Sequence, residues 1–246
     1  MNIMGGKWRQ GPKIAEYVNL FLQRGTRYYE PFCGAMGSAF RVVDYAIRAE
    51  IGGMYLSDKN IFLITMWNAV LGGWEPPDLV TYDTYVEVRK KMDPNDPMTA
   101  YCGYGMSFGG KWFGGYARNK VGTNYSLNAK RSTLLKASTL LKAKVSISCR
   151  DYTEVIDSDC VFFLDPPYAG RTKAHREKVN SKEFWDYADM LVGLGNIVLV
   201  TEFAAPSHWF PVFCWGNTVV RHHSSKGDDG TTESIWMQRP DVTATP

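Results

Sequence analysis

Two short apolar runs, Val161 to Leu164 and Ile197 to Thr201, constrain this chain most. Neither alternates with polar residues, and turn-forming residues bound each. That is the pattern of strands covered on both faces, and hence of a parallel sheet with helices above and below it. Further elements alternate in the same way. A proline-opened helix is expected over Pro12 to Arg24, then a short strand at Tyr28-Tyr29 and a helix from Ala39 to Ala49. Met54 to Leu56 reads as a strand ending near Asp58, and Ile61 to Leu71 as an apolar helix closed by Gly72-Gly73. Val145 to Ser148 adds a strand and Lys182 to Leu194 a helix. An antiparallel end is expected beyond Val212, from Asn217 to Arg221 and Glu233 to Gln238, around the turn-rich stretch Lys226 to Gly230. The fold class is therefore α/β: a doubly wound, Rossmann-like sheet formed by residues 1–75 and 145–246, with residues 76–144 inserted as a small subdomain.

The insert differs in character from the rest. Pro76-Pro77 and the run Asp93 to Pro97 punctuate it around a helix from Tyr82 to Met92. Six glycines between Gly103 and Gly115 make its middle loop-like, and a helix from Leu127 to Lys142 closes it. From Pro97 to Arg150 there is no Asp or Glu, while nine Lys and Arg lie in those 54 residues. The overall charge of +3 therefore leaves −6 for the remainder. Seven aromatic residues, Tyr101 to Tyr125, are threaded through the same window. Cations that displace counterions and flat rings that stack suit a nucleic-acid partner. On this reading Lys111, Arg118 and Lys120 touch phosphates, Lys173 and Arg176 form a second basic flank, and Trp112 or Phe113 either wedges between bases or packs in a core.

Cysteine spacing narrows the setting. Five cysteines, widely spaced and without a C-x-x-C, argue against a disulfide scaffold and for a reducing cytoplasm. No histidine or cysteine spacing suggests a metal. No apolar run reaches the roughly 18–20 residues of a membrane span, and Met1 to Lys13 has no apolar signal region.

Two motifs carry chemistry. Glu30 to Ser38, reading E-P-F-C-G-A-M-G-S, places Gly34 and Gly37 between a strand and a helix, where backbone can approach a ligand at an open helix N-terminus. Asp58, at the next strand end, is where such a fold places an acid against ribose hydroxyls. Asp165-Pro-Pro-Tyr168 leaves the apolar strand Val161 to Leu164. Its carboxylate and the Pro166 carbonyl can accept both hydrogens of an exocyclic amino group, and Tyr168 offers a ring on which a base can stack.

Taken in order, these residues resemble the Dam-type DNA adenine-N6 methyltransferases, from about Gly5 to Gln238. Gly5-Gly6-Lys7 resembles the end of the family's W-x-G-G-K, Glu30 to Ser38 its E-P-F-x-G-x-G-S, and Asp165 to Tyr168 its catalytic motif. Gly105 to Tyr116 is similar to a stretch of phage and bacterial members. Met36 lengthens the glycine loop by one residue relative to the family pattern, and Ile3 stands where the family has Trp. The resemblance implies S-adenosylmethionine as cofactor. Lys7, Glu30, Phe32, Gly34, Gly37, Asp58, Asp151, Tyr152 and Asp165 would hold it. Asp165, Pro166 and Tyr168 would act on an adenine flipped out of duplex DNA. It further implies a monomer or weak dimer in a bacterial cytoplasm, without metal or membrane, with phage origin and pairing with a restriction nuclease both open. An RNA adenine methyltransferase and a catalytically silent DNA-binding relative are the alternatives.

Overall fold

A computed structural model of the chain describes residues 3, 5–118, 122–167, 179–215 and 232–238. Among the described residues seven strands form one sheet: β1 (Arg27–Glu30), β2 (Gly53–Asp58), β3 (Val145–Cys149), β4 (Val161–Leu164), β5 (Ile197–Glu202), β6 (Trp209–Cys214) and β7 (Ser234–Gln238). Their order is β3-β2-β1-β4-β5-β7-β6. The first five are parallel, and β7 runs antiparallel between β5 and β6. The all-apolar β4 is buried along its whole length, as its sequence requires. The doubly wound α/β class inferred from the alternation is the one observed.

Helices cover both faces. On one lie α1 (Gly11–Asn19), α2 (Ala39–Arg48), α3 (Ile61–Leu71) and α6 (Tyr125–Leu140); α7 (Ser181–Gly193) covers the other. Asparagines cap α3 and α6: Asn60 accepts from the Leu63 amide of α3, and Asn124 from the Leu127 amide of α6. Between α3 and α6 run α4 (Tyr82–Lys91) and the short α5 (Pro97–Ala100), which continues as a π-helical turn over Tyr101–Gly105. Val80, Tyr85, Val88, Tyr101 and Phe113 from the insert share one apolar core with α2, α3 and the sheet.

The differences from the sequence reading are local. α1 ends at Asn19, five residues before Arg24, because the chain turns at Leu20. The glycine-rich part of the insert, expected to be a loop, is folded back on itself. Ser107 pairs with Tyr116, and the Phe108 and Ala117 amides donate to the Gly115 and Met106 carbonyls, each at 2.8 Å. Gly103 permits this, since a Cβ there would lie 2.4 Å from the Trp112 ring. The edge strand β6 carries Pro211, tolerated where no ladder partner needs its amide. The expected strand Asn217 to Arg221 and the turn Lys226 to Gly230 lie outside the described residues.

Candidate active site

Strand order reverses between β1 and β4, and open parallel sheets bind ligands at the C-terminal strand ends around such a point. A cleft of about 1620 Å³ lies there. The segments leaving β1, β2, β3 and β4 form its walls, namely Pro31 to Ser38, Asp58 to Asn60, Asp151 to Thr153, and Asp165 to Pro167. Residues 5–10 close one side and Glu233 another. Topology thus gathers Lys7, Phe32, Gly34, Gly37, Asp58, Asp151, Tyr152, Asp165 and Pro166 around one space.

At one end, Asp58 is oriented by backbone. Its two carboxylate oxygens accept from the Gly34 and Asn60 amides, each at 2.9 Å. Carboxylate oxygens can accept more than one bond, so this acid keeps capacity for a vicinal diol. Phe32 and Tyr152 lie with ring centroids 5.1 Å apart on the neighbouring wall. Asp151 caps the turn that carries Tyr152 and pairs with Lys59 at 2.8 Å. Burial pushes its carboxyl up, but Lys59 and the Thr153 bonds outweigh that and hold it below the usual carboxylate range.

The glycine loop is tightly determined. Gly34 and Met36 both have left-handed backbone, at φ 46° and 56°. A methionine there costs about 1–3 kcal/mol of backbone strain and persists only where its surroundings fix it. Here the Met36 side chain is wholly buried and its amide donates to Cys33 O at 2.7 Å. A Cβ on Gly37 would lie 3.0 Å from the Lys7 amide nitrogen, so the loop needs glycine where it meets the N-terminal segment. Glu30 lies beneath the loop and does not line the cleft. It accepts from the Tyr28 hydroxyl at 2.7 Å and from Ser38 Oγ, and burial pushes its carboxyl up to about 8.

At the other end sits a buried charge cluster. Lys7 Nζ is 2.7 Å from Asp165 Oδ1 and 3.2 Å from Glu233 Oε1. Burial opposes the Lys7 charge, but the two carboxylates outweigh it and raise the ammonium above its usual value. For Asp165 burial prevails, so its carboxyl is raised despite Lys7 and a 2.6 Å bond from Thr201 Oγ1. Both of those bonds end on Oδ1. Among the described residues no hydrogen bond ends on Oδ2, and Asp165 and Pro166 both line the cleft. Glu233 and Thr201 gave no sequence signal, because their partners are 226 and 36 residues away.

The insert supplies the rim. Tyr104 to Gly110 and, from α6, Tyr125, Asn128, Ala129 and Ser132 face the cleft. Phe108 is 71% exposed, the most exposed large apolar side chain among the described residues. Trp112 does not line the cleft; it packs against Tyr104, Phe62 and Phe113 at 4.8–5.0 Å. The described basic residues of the acid-free window do not share a face. Lys130 pairs with Glu75 and Asp78 from outside the window, Lys136 is buried, and Lys142 and Lys144 lie at the opposite, N-terminal end of the strands. Lys111 and Arg118 are exposed beyond the cleft lining. Tyr168, Lys120, Lys173 and Arg176 lie outside the described residues. Among the described residues no group of three His, Cys, Asp or Glu could hold a metal, none of the five cysteines forms a disulfide, and no helix is long and apolar enough to cross a membrane.

No protein-family model and no curated protein matches the chain. Solved structures do. An rRNA methyltransferase from Streptomyces viridochromogenes is 14% identical over 94% of this chain and 84% of its own, with a TM-score of 0.45. An rRNA methylase from Streptococcus thermophilus is 5% identical over 92% and 94%, at 0.39. A Streptococcus mutans structure in complex with S-adenosylhomocysteine is 6% identical over 92% and 95%, at 0.37. Likenesses this distant carry no argument about substrate or cofactor.

Proposed function

We propose that this chain is an S-adenosylmethionine-dependent methyltransferase acting on the exocyclic N6 of an adenine extruded from duplex DNA. The observation that carries the reading is Asp165 Oδ2, unengaged among the described residues, in the same cleft as Asp58 and the glycine loop. The doubly wound parallel sheet with an antiparallel end agrees with the Rossmann-like methyltransferase sheet that the sequence resemblance implies.

The donor set fits the cofactor in kind. Asp58 suits ribose hydroxyls, the Phe32 and Tyr152 rings a purine, and the loop at Gly34 and Gly37 an amino-acid moiety near backbone. When bound, S-adenosylmethionine supplies an electrophilic sulfonium methyl. The chain does the rest. Asp165 Oδ2 and the Pro166 carbonyl accept the two amino hydrogens of the target base. Those bonds favour a tetrahedral nitrogen and return part of its lone pair from the ring, so that it can attack in line. Lys7 and Thr201 fix the carboxylate through Oδ1 and prevent it from turning away. Holding nitrogen and carbon about 3 Å apart provides much of the acceleration. The raised proton affinity of Asp165 suits it to receive the proton that the alkylated amine sheds.

Asp165→Asn is the direct test. The amide leaves the fold intact but presents at most one acceptor. Methylation of duplex DNA, read as protection from methylation-sensitive nucleases and by N6-methyladenine sequencing, should fall by about 10²–10³-fold while S-adenosylhomocysteine still binds. An asparagine variant as active as the wild type would remove Asp165 from the mechanism. Transfer to RNA in preference to DNA would replace the substrate.

A further inference from the structure

Lys136 is not explained by the reading so far. It lies on α6, is 1% exposed, and its Nζ donates to the Ala35 carbonyl in the glycine loop at 2.6 Å. The ammonium also sits 5.3 Å from the Trp8 ring and 5.8 Å from the Phe40 ring, which stack at 5.2 Å. The Arg41 guanidinium of α2 lies 5.0 Å and 4.4 Å from the same two rings. A leucine or methionine would fill such a site without the cost of desolvating an ammonium, so the cation is kept here at the expense of stability. What it holds is a carbonyl between the two left-handed residues of the loop, next to the Gly34 amide that orients Asp58. The same helix presents Ser132 and Asn128 to the cleft, one and two turns earlier.

We propose that Lys136 is a positioning residue that couples the insert to the glycine loop, so that nucleic acid engaging α6 and cofactor engaging the loop bind cooperatively. The inference rests on the cofactor reading above and deepens it. A shift of α6 moves the ammonium, the ammonium moves the Ala35 carbonyl, and the loop moves with it. Linkage makes the effect reciprocal: the factor by which nucleic acid on α6 tightens cofactor is the factor by which cofactor tightens nucleic acid.

Calorimetry with S-adenosylhomocysteine, with and without a short duplex of DNA or RNA (whichever binds), tests this on wild type, Lys136→Met and Lys136→Arg. In the wild type the duplex should tighten S-adenosylhomocysteine at least about fivefold. Lys136→Met should abolish that enhancement and weaken binding about tenfold, and Lys136→Arg, which keeps a charged donor, should restore both. Burial and then Arg41, the charged group facing it, lower the Lys136 ammonium to about 8. The wild-type enhancement should therefore decline from pH 7 to 9, and the decline should vanish in the arginine variant. That profile decides the matter if the methionine variant does not fold. An enhancement equal in wild type and Lys136→Met, or the same pH decline in wild type and Lys136→Arg, would overturn the coupling alone. Wild-type protein that takes up no S-adenosylhomocysteine would overturn the cofactor reading and the coupling with it.

Discussion

Single residues in this chain are held by arrangements that burial makes costly. Lys7 serves two carboxylates, and removing the lysine leaves their charge stranded away from water, which typically costs about 3–5 kcal/mol. Glu30 shows the opposite solution, in which a buried acid stays protonated. Its carboxyl titrates near 8 when folded but near 4.5 when exposed, so between those values the folded state holds a proton that the unfolded state has lost. Stability therefore falls as pH rises across that window and levels off on either side. Glu30→Gln, neutral at every pH, should flatten that slope and melt a few degrees above the wild type at pH 8, with little difference at pH 5. Melting curves recorded from pH 4 to 9 check this, and parallel curves for the two proteins would rule out a protonated Glu30. Asp165 could be picked out from sequence because its motif is contiguous and sits at the exit of an apolar run. Glu233, Thr201 and Lys136 could not, because each acquires its role only from a partner that the fold brings in from far along the chain.

Elements were legible where one periodicity ruled. α3 is apolar nearly all round and β4 wholly buried, and both lie where their patterns place them. The insert was harder to read, since glycines that signal a loop in isolation here let aromatic rings approach backbone. Tyr85, Tyr101 and Tyr116 anchor this segment through hydroxyl bonds to Ser107, Ser126 and Val80. Rings that composition suggested for base stacking are thus largely structural, and β6 escaped notice because Pro211 interrupts its pattern. Phe108 is the exception. It stands exposed at a folded-back tip beside the cleft, where an apolar side chain gains nothing from the fold but can fill the gap that an extruded base leaves. Phe108→Ala should change stability by less than about 0.5 kcal/mol. It should weaken duplex binding by about 1–3 kcal/mol, read by fluorescence anisotropy. Unchanged affinity together with unchanged methylation would exclude Phe108 from contact with the duplex.

At the scale of the whole molecule, the cleft belongs to no single segment. Residues 5–10, the exits of β1 to β4, the insert and Glu233 each supply a wall, and the insert shares its core with the sheet. The sheet could be read from sequence because strand and helix periodicities are local. That the insert packs into the same core could not, because an apolar side chain carries no address for the surface it will meet. A ligand that needs every wall binds only the folded chain, so it should raise the stability of all of it together. At a hundredfold excess over its dissociation constant, S-adenosylhomocysteine should add about 2.7 kcal/mol. For a chain of this length, that lifts the melting temperature by roughly 5–10 °C. Calorimetry should show one transition moving as a unit. Two transitions of which only one responds would mean that the insert unfolds independently of the cofactor walls, which contradicts a core shared between Tyr101 of the insert and Val43 of α2.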